Sequence, residues 1–98
     1  MNPKEQQALQ EKAQAIEDNL TQDGFRNISA VQDEPNKYYD EHDHPYPSTH
    51  VILTGSLYLT LQGVTKELRS GDRCEIPEGA KHSVKIGLEG CVYVTAER

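Results

Sequence analysis

The sequence predicts a small all-β domain, an antiparallel sandwich or barrel, entered through a single N-terminal α-helix. From residue 25 onward, short runs of alternating apolar residues are separated by turn-forming residues every eight to twelve positions. That pattern marks many short strands. Before residue 25 the apolar residues recur at helical spacing instead. A chain of 98 residues accommodates one domain. Residues 1–24 therefore read as a helix packed on the β domain or on a dimer partner, and residues 25–98 as the β domain itself.

Residues 2–22 carry the helical signals in order. Asn2 can cap the helix, Pro3 suits its first position, and Glu5 completes a pattern like a capping box. Leu9, Ala13, Ile16 and Leu20 form one apolar stripe at spacings of four, three and four. Asp23-Gly24 ends the helix, because glycine enters the left-handed conformation freely. Strands are expected over Ile28 to Val31, Lys37 to His42, Ser48 to Thr54, Ser56 to Gln62, Val64 to Leu68, Arg73 to Ile76, His82 to Ile86 and Val92 to Thr95. The breaks between them carry Pro35-Asn36, Pro45 with Pro47, Gly55, Gly63, Ser70-Gly71-Asp72, Pro77 with Gly79, and Gly87 with Gly90.

Charge and hydropathy exclude several function classes. Sixteen acids against ten lysines and arginines give a formal net charge of −6, with no basic run. Phosphate backbones repel such a chain, so nucleic acid is not an expected partner. Anionic membranes are excluded on the same ground. The longest apolar stretches, such as Val51-Ile52-Leu53, are far too short for a membrane-spanning helix. The polar, glutamine-rich N-terminus lacks the apolar segment of a signal peptide, so a cytoplasmic location is expected. Cys74 and Cys91 fall in separate predicted strands and read as half-buried thiols rather than a disulfide framework.

Three of the four histidines lie between residues 42 and 50. His42 and His44 stand two apart, so on an extended strand they project from one face and can address one ion. His82 can join them only if the sheet closes on itself. A histidine-rich donor set suits transition metals and argues against Ca²⁺ or Mg²⁺.

The surroundings of these histidines match a known pattern. Gly71, Pro77, Gly79 and His82 occupy every fixed position of G-x5-P-x-G-x2-H, the second cupin motif, and only its terminal asparagine is replaced, by Ile86. His42, His44 and Gly55 match the first cupin motif in register, although Asn36 stands at its opening glycine. The chain thus resembles small single-domain cupins, over residues 36–86. The resemblance implies a cupin-type antiparallel β-barrel (a double-stranded β-helix, or jelly roll). It also implies one divalent transition metal, Fe, Zn, Ni or Mn, on His42, His44 and His82. The turn through Pro77 and Gly79 is expected to deliver His82 to the barrel interior, opposite the other two.

The family pattern has a glutamate as a further ligand where this chain has Ser48. Serine is a poor neutral ligand, so a bound ion keeps its +2 charge and draws water or an anion to its open positions. Ser48, His50 and Asp40 are the further candidates for metal or pocket contacts. His50 faces inward by strand alternation, and Tyr38 and Asp40 share the face of His42 if their strand is regular. His50 and Tyr38 are the candidate catalytic residues, to orient a ligand or move a proton. Tyr46 is expected to border the entrance, and Ile52, Leu57 and Leu59 to line the pocket. Three functions fit: a mononuclear non-haem oxygenase acting on a small organic molecule, a non-catalytic metal-binding or small-ligand-sensing domain, and a metal-dependent isomerase or lyase. Whether the chain is an enzyme stays open at this level. The expected partners are a small molecule and a second copy of the chain, docked through exposed strands and the Leu9-to-Leu20 stripe.

Overall fold

Asn2 caps helix α1 (Pro3–Gln22) by accepting a hydrogen bond from the Glu5 amide at 2.9 Å, in a computed structural model that describes residues 1–98. The Asn2 side-chain amide donates in return to the Glu5 carboxylate at 3.0 Å. In a capping box that carboxylate takes the backbone N–H of the cap instead. At the far end the Phe25 N–H reaches back to the Leu20 carbonyl at 3.0 Å, which turns the chain into the sheet.

Six antiparallel strands follow: β1 (Arg26–Asp33), β2 (Tyr38–His42), β3 (Ser48–Leu61), β4 (Val64–Arg69), β5 (Arg73–Ile76) and β6 (His82–Glu97). The strand breaks expected at Gly55 and at Gly87 with Gly90 are absent. β3 and β6 run straight through them, for 14 and 16 residues. These glycines mark a close crossing of two strands, not chain reversals. A Cβ on Gly55 would stand 2.1 Å from the Gly90 carbonyl oxygen, and one on Gly87 would stand 2.2 Å from Ser56 Oγ. The register slips on both sides of this crossing, between Ile52 and Thr54 and between Gly55 and Leu57. Such bulges bend a strand while leaving its pairing intact on either side.

The bend folds one sheet into two facing layers. The first half of β3 pairs with β5 and with the second half of β6, which pairs onward with β1. The second half of β3 pairs with β4 and with the first half of β6, which pairs onward with β2. Ile52, Ile76 and Tyr93 from the first layer pack against Leu57, Leu59 and Ile86 from the second in one core cluster. The first layer is buried on its other face too. There Leu53, Val94 and Ala96 meet the helix stripe of Leu9, Ala13, Ile16 and Leu20. Leu20 retains 1% exposure, a burial that contributes about 2 kcal/mol. The stripe is thus occupied by the chain's own barrel, so a second copy cannot use it without displacing the helix. What stays uncovered is the outer face of the second layer, where Tyr38, Tyr58 and Leu88 are exposed.

Cys74 on β5 is half-buried and Cys91 on β6 is buried deeper than expected, and both are free thiols. No helix is long and apolar enough to cross a membrane.

Candidate metal centre

A register shift in β2 decides which of its side chains enter the barrel. Tyr38 pairs with Lys85 and Tyr39 with Val84, but the next aligned pair is His42 with His82. The irregularity between Tyr39 and His42 breaks the alternation, so Tyr39 and His42 both face inward although they are three residues apart. This corrects the expectation for Tyr38 and Asp40. Tyr38 is 57% exposed on the outer face, beside Tyr58 and Lys85. Asp40 is exposed and offers the site only its backbone carbonyl.

His44 lies just past the end of β2, and its carbonyl accepts the Gly79 N–H at 2.8 Å. That bond ties the loop of His44 to the turn that launches β6, whose first residue is His82. The rings of His42, His44 and His82 gather there, with centroids 4.3 Å, 4.8 Å and 5.3 Å apart. Their candidate ligand atoms lie within 4.8 Å of one another. A tetrahedral ion with nitrogens at about 2.1 Å holds them roughly 3.4 Å apart, so a small closing rotation brings the three onto one ion. His42 and His44 are half-buried and have that freedom, whereas His82 is 2% exposed and fixed.

The hydrogen bonds of these rings suit metal ligation. His42 Nδ1 donates to the Asp40 carbonyl at 2.6 Å and His82 Nδ1 to the Ala80 carbonyl at 2.9 Å. Each proton on Nδ1 leaves Nε2 as the free lone pair, the usual arrangement behind a metal-binding histidine. His44 Nδ1 meets the Tyr46 hydroxyl at 3.3 Å.

The three rings open onto a cavity of about 290 Å³ between the layers. Ser48 and His50 line it from β3, Val31 from β1, Tyr39 from β2, and Val84, Tyr93 and Glu97 from β6. Tyr46 lines it from the loop after His44. The apolar lining is Val31, Val84 and Ala96 together with the rings of Tyr39, Tyr46 and Tyr93. Ile52, Leu57 and Leu59, expected in that role, lie in the core cluster instead.

No protein-family model matches the sequence, and comparison with curated proteins gives no match. Solved structures do match. The cupin domain of CENP-C from Drosophila melanogaster superposes on 74% of this chain with a TM-score of 0.68 at 17% identity. A cupin-like protein from Thermotoga maritima superposes on 71% with a TM-score of 0.67 at 22% identity. The chain has the cupin fold. The DMSP lyase DddQ from Ruegeria pomeroyi superposes on 72% of this chain with a TM-score of 0.68 at 24% identity. The matches cover 61%, 54% and 36% of those three chains, less than two thirds of each.

At the end away from the three histidines, the cavity rests on a buried carboxylate. Asp33 is 6% exposed and accepts hydrogen bonds from Tyr93 at 2.6 Å and from Tyr39 at 2.8 Å. Burial pushes the Asp33 pKa up, but the donors Tyr93, Tyr39 and Lys37 outweigh it and hold the carboxyl below its ordinary value. Burial, and then the bond to Asp33, push the Tyr93 pKa far up, so its hydroxyl stays protonated. Both tyrosine hydroxyls are therefore committed as donors to Asp33 and make a rigid floor. Sequence patterning did not single out this trio. Tyr39 and Tyr38 are neighbours, and only the β2 bulge decides between them.

His50 stacks on Tyr93, with centroids 5.6 Å apart and planes at 21°. Its Nδ1 is enclosed and has no hydrogen-bond partner. Burial lowers its pKa to about 4, with smaller contributions from His82, His44 and His42. His44 is also lowered, by burial first and then by His42 and His82, which favours the neutral ring a metal needs.

The His50 shift has a stability consequence with a definite sign. Folded His50 stays neutral down to about pH 4, whereas an unfolded histidine takes a proton near pH 6.5. Between those values the unfolded chain binds more protons, so this contribution is complete above pH 6.5 and is lost as the pH falls toward 4. Its size is about 3 kcal/mol. Urea unfolding of the metal-free protein at pH 7 and pH 4.5 measures it. His50→Gln is expected to lose roughly 2–3 kcal/mol less than wild type between those pH values. Equal acid losses in the two proteins contradict the assignment.

Proposed function

We propose that this cupin holds one divalent transition metal on His42, His44 and His82 and acts as a mononuclear non-haem oxygenase on a small organic molecule in the adjoining cavity. The observation that carries this reading is the convergence of three imidazoles, two of them with Nδ1 bonded to a backbone carbonyl, at the end of an internal cavity. The donor set suits Fe, Zn, Ni or Mn. When bound, the ion supplies a Lewis acid with open coordination positions.

The chain's own residues narrow the chemistry. A cavity of about 290 Å³ lies at the small end of ligand pockets. Three neutral imidazoles leave the ion's charge uncompensated, which favours a ligand carrying a carboxylate or thiolate. Tyr39 and Tyr93 commit their hydroxyl protons to Asp33, so toward a ligand in the cavity their oxygens can only accept. His50 is the one free polar ring facing that ligand. With a pKa of about 4 it is a weak base at neutral pH and serves as a hydrogen-bond acceptor. A DMSP lyase shares the fold, and the oxygen-uptake measurement below separates an oxygenase from a metal-dependent isomerase or lyase.

A second reading, a metal-binding or small-ligand-sensing cupin without turnover, draws support from the sparse cover over the site. Helix α1 packs on the outer face of the first layer, and only the short loop of His44 and Tyr46 borders the cavity mouth.

Metal-free protein titrated with Zn²⁺, Fe²⁺, Mn²⁺ or Ni²⁺ is expected to take up one equivalent per chain. A free metal concentration 100-fold above Kd stabilises the fold by about 2.7 kcal/mol, reversed by a chelator. Oxygen uptake by the Fe²⁺-loaded protein with small carboxylates or thiols supports the oxygenase. Metal uptake without turnover supports the binding reading, and no uptake of any metal sinks the oxygenase and the metal-binding reading alike, leaving only metal-free small-ligand sensing.

A further inference from the structure

We propose that the cavity selects a small ligand with a single anionic group, directed at the three histidines, and a hydroxyl or amine at its other end that donates to the phenolic oxygens of Tyr39 and Tyr93. The inference rests on the cavity being the ligand site of the proposed function and names the class of molecule that fits it.

The wall limits the charge. No lysine or arginine lines the cavity, and Glu97 is the one acidic residue that does. Glu97 forms no ion pair within the chain. One anionic group of a ligand has a cation for partner, the ion that the three imidazoles are proposed to hold. A second anionic group finds no cation in the wall and meets Glu97 instead. Taking a charge out of water without a partner is strongly unfavourable, so dicarboxylates and phosphorylated carboxylates are disfavoured.

The floor selects the tail. Tyr39 and Tyr93 line the cavity and Asp33 does not, so the carboxylate stands behind the two phenols. Its Oδ2 accepts from both hydroxyls, at 2.6 Å from Tyr93 and 2.8 Å from Tyr39. Its Oδ1 faces the Lys37 ammonium at 3.4 Å. Each phenol carries one proton, and Asp33 takes both. Turning either hydroxyl toward the cavity strips a buried carboxylate of a donor, which costs more than an ordinary hydrogen bond returns. The carboxylate also polarises each O–H, so the phenolic oxygens become better acceptors. Such a floor pairs with N–H or O–H, leaves an apolar tail unbonded and opposes a second oxyanion.

Calorimetric titration of the Zn²⁺-loaded protein compares carboxylates that differ in their tails. γ-Hydroxybutyrate or γ-aminobutyrate is expected to bind about 10-fold more tightly than pentanoate, which has the same number of heavy atoms. The tighter of the two identifies the tail. Glutarate is expected to bind more weakly than pentanoate. Tyr39→Phe and Tyr93→Phe each reduce the preference for a donor tail severalfold and leave pentanoate unchanged. Asp33→Leu frees both hydroxyls to turn and donate, so glutarate gains on γ-hydroxybutyrate, a reversal that lost packing does not produce. In the metal-free protein, n-butanol is expected to shift the Tyr39 and Tyr93 ring signals at a severalfold lower concentration than butanone, which can only accept. Equal affinity for donor-tailed and apolar-tailed carboxylates, tightest binding by glutarate, or a preference untouched by both phenylalanine variants overturns the proposal, and so does butanone that matches n-butanol. Absence of Zn²⁺ uptake sinks the three-histidine reading, while the alcohol and the ketone still decide the role of the floor.

Discussion

His82→Ala is expected to lose the stoichiometric metal binding proposed for the three histidines while the barrel stays folded. Among the three imidazoles His82 alone is fully buried, and it comes from a different part of the chain than His42 and His44. Without it, two half-buried rings on one short segment remain, a pair common on protein surfaces that hold no metal. Partners that merely orient a ligand cost 10- to 100-fold in metal affinity, so deleting a ligand is expected to cost more than about 100-fold. The fold pays a smaller penalty. Truncation leaves a cavity and the Ala80 carbonyl without its donor, together about 2 kcal/mol. Calorimetric titration with Zn²⁺, beside a melting curve of each metal-free protein, separates the two effects. Tight binding of one equivalent by His82→Ala contradicts the ligand assignment, and so does a His50→Gln variant that loses the metal equally.

The parts of this molecule that follow from local rules were legible in the sequence. Asn2, Pro3 and Asp23 bracket α1 within a residue of its bounds, and β4 and β5 fall where alternation and turn residues put them. The spacing around Pro77 and Gly79 was enough to bring His82 to His42 and His44, because a turn of fixed length carries it. The illegible parts depend on contacts between distant residues. Gly55 and Gly90 read as turns because a close crossing of two strands leaves the same glycine signal as a reversal. Tyr38 and Asp40 were assigned to the cavity on the premise of a regular strand, and one bulge transferred that place to Tyr39. Asp33 had no local signal at all, since it gains its role from Tyr39 and Tyr93 on other strands.

The strand crossing carries the second large effect, expected in Gly55→Ala. Gly55 has φ +75°, and its missing Cβ would sit 2.1 Å from the Gly90 carbonyl oxygen and 3.0 Å from Cys91 Cα. Both are backbone atoms of β6, so no side chain can rotate to make room. β6 cannot retreat either. Behind Gly90 lies the carbonyl of Asp33, already 2.9 Å from where a Gly90 Cβ would be. Gly63 provides the control. Its φ of +82° is equally left-handed, but nothing lies within 4 Å of its Cβ position. Gly63→Ala therefore carries only the conformational strain, about 1 kcal/mol. Gly55→Ala adds a backbone displacement and is expected to cost more than about 3 kcal/mol, or roughly 15 °C in melting temperature for a domain of this size. The damage also has a direction. Pushing β6 away at Gly90 moves Asp33, and with it the Tyr39 and Tyr93 hydroxyls that floor the cavity beside His50. Gly55→Ala protein that remains folded at low temperature is thus expected to take up metal nearly as wild type does, because His82 stands at the start of β6 and His42 and His44 lie on β2 and the loop after it, away from Gly90, but to show an altered His50 environment by NMR. Equal destabilisation by the two glycine substitutions shows instead that β3 and β6 have slack at their crossing, and that the bend is set elsewhere.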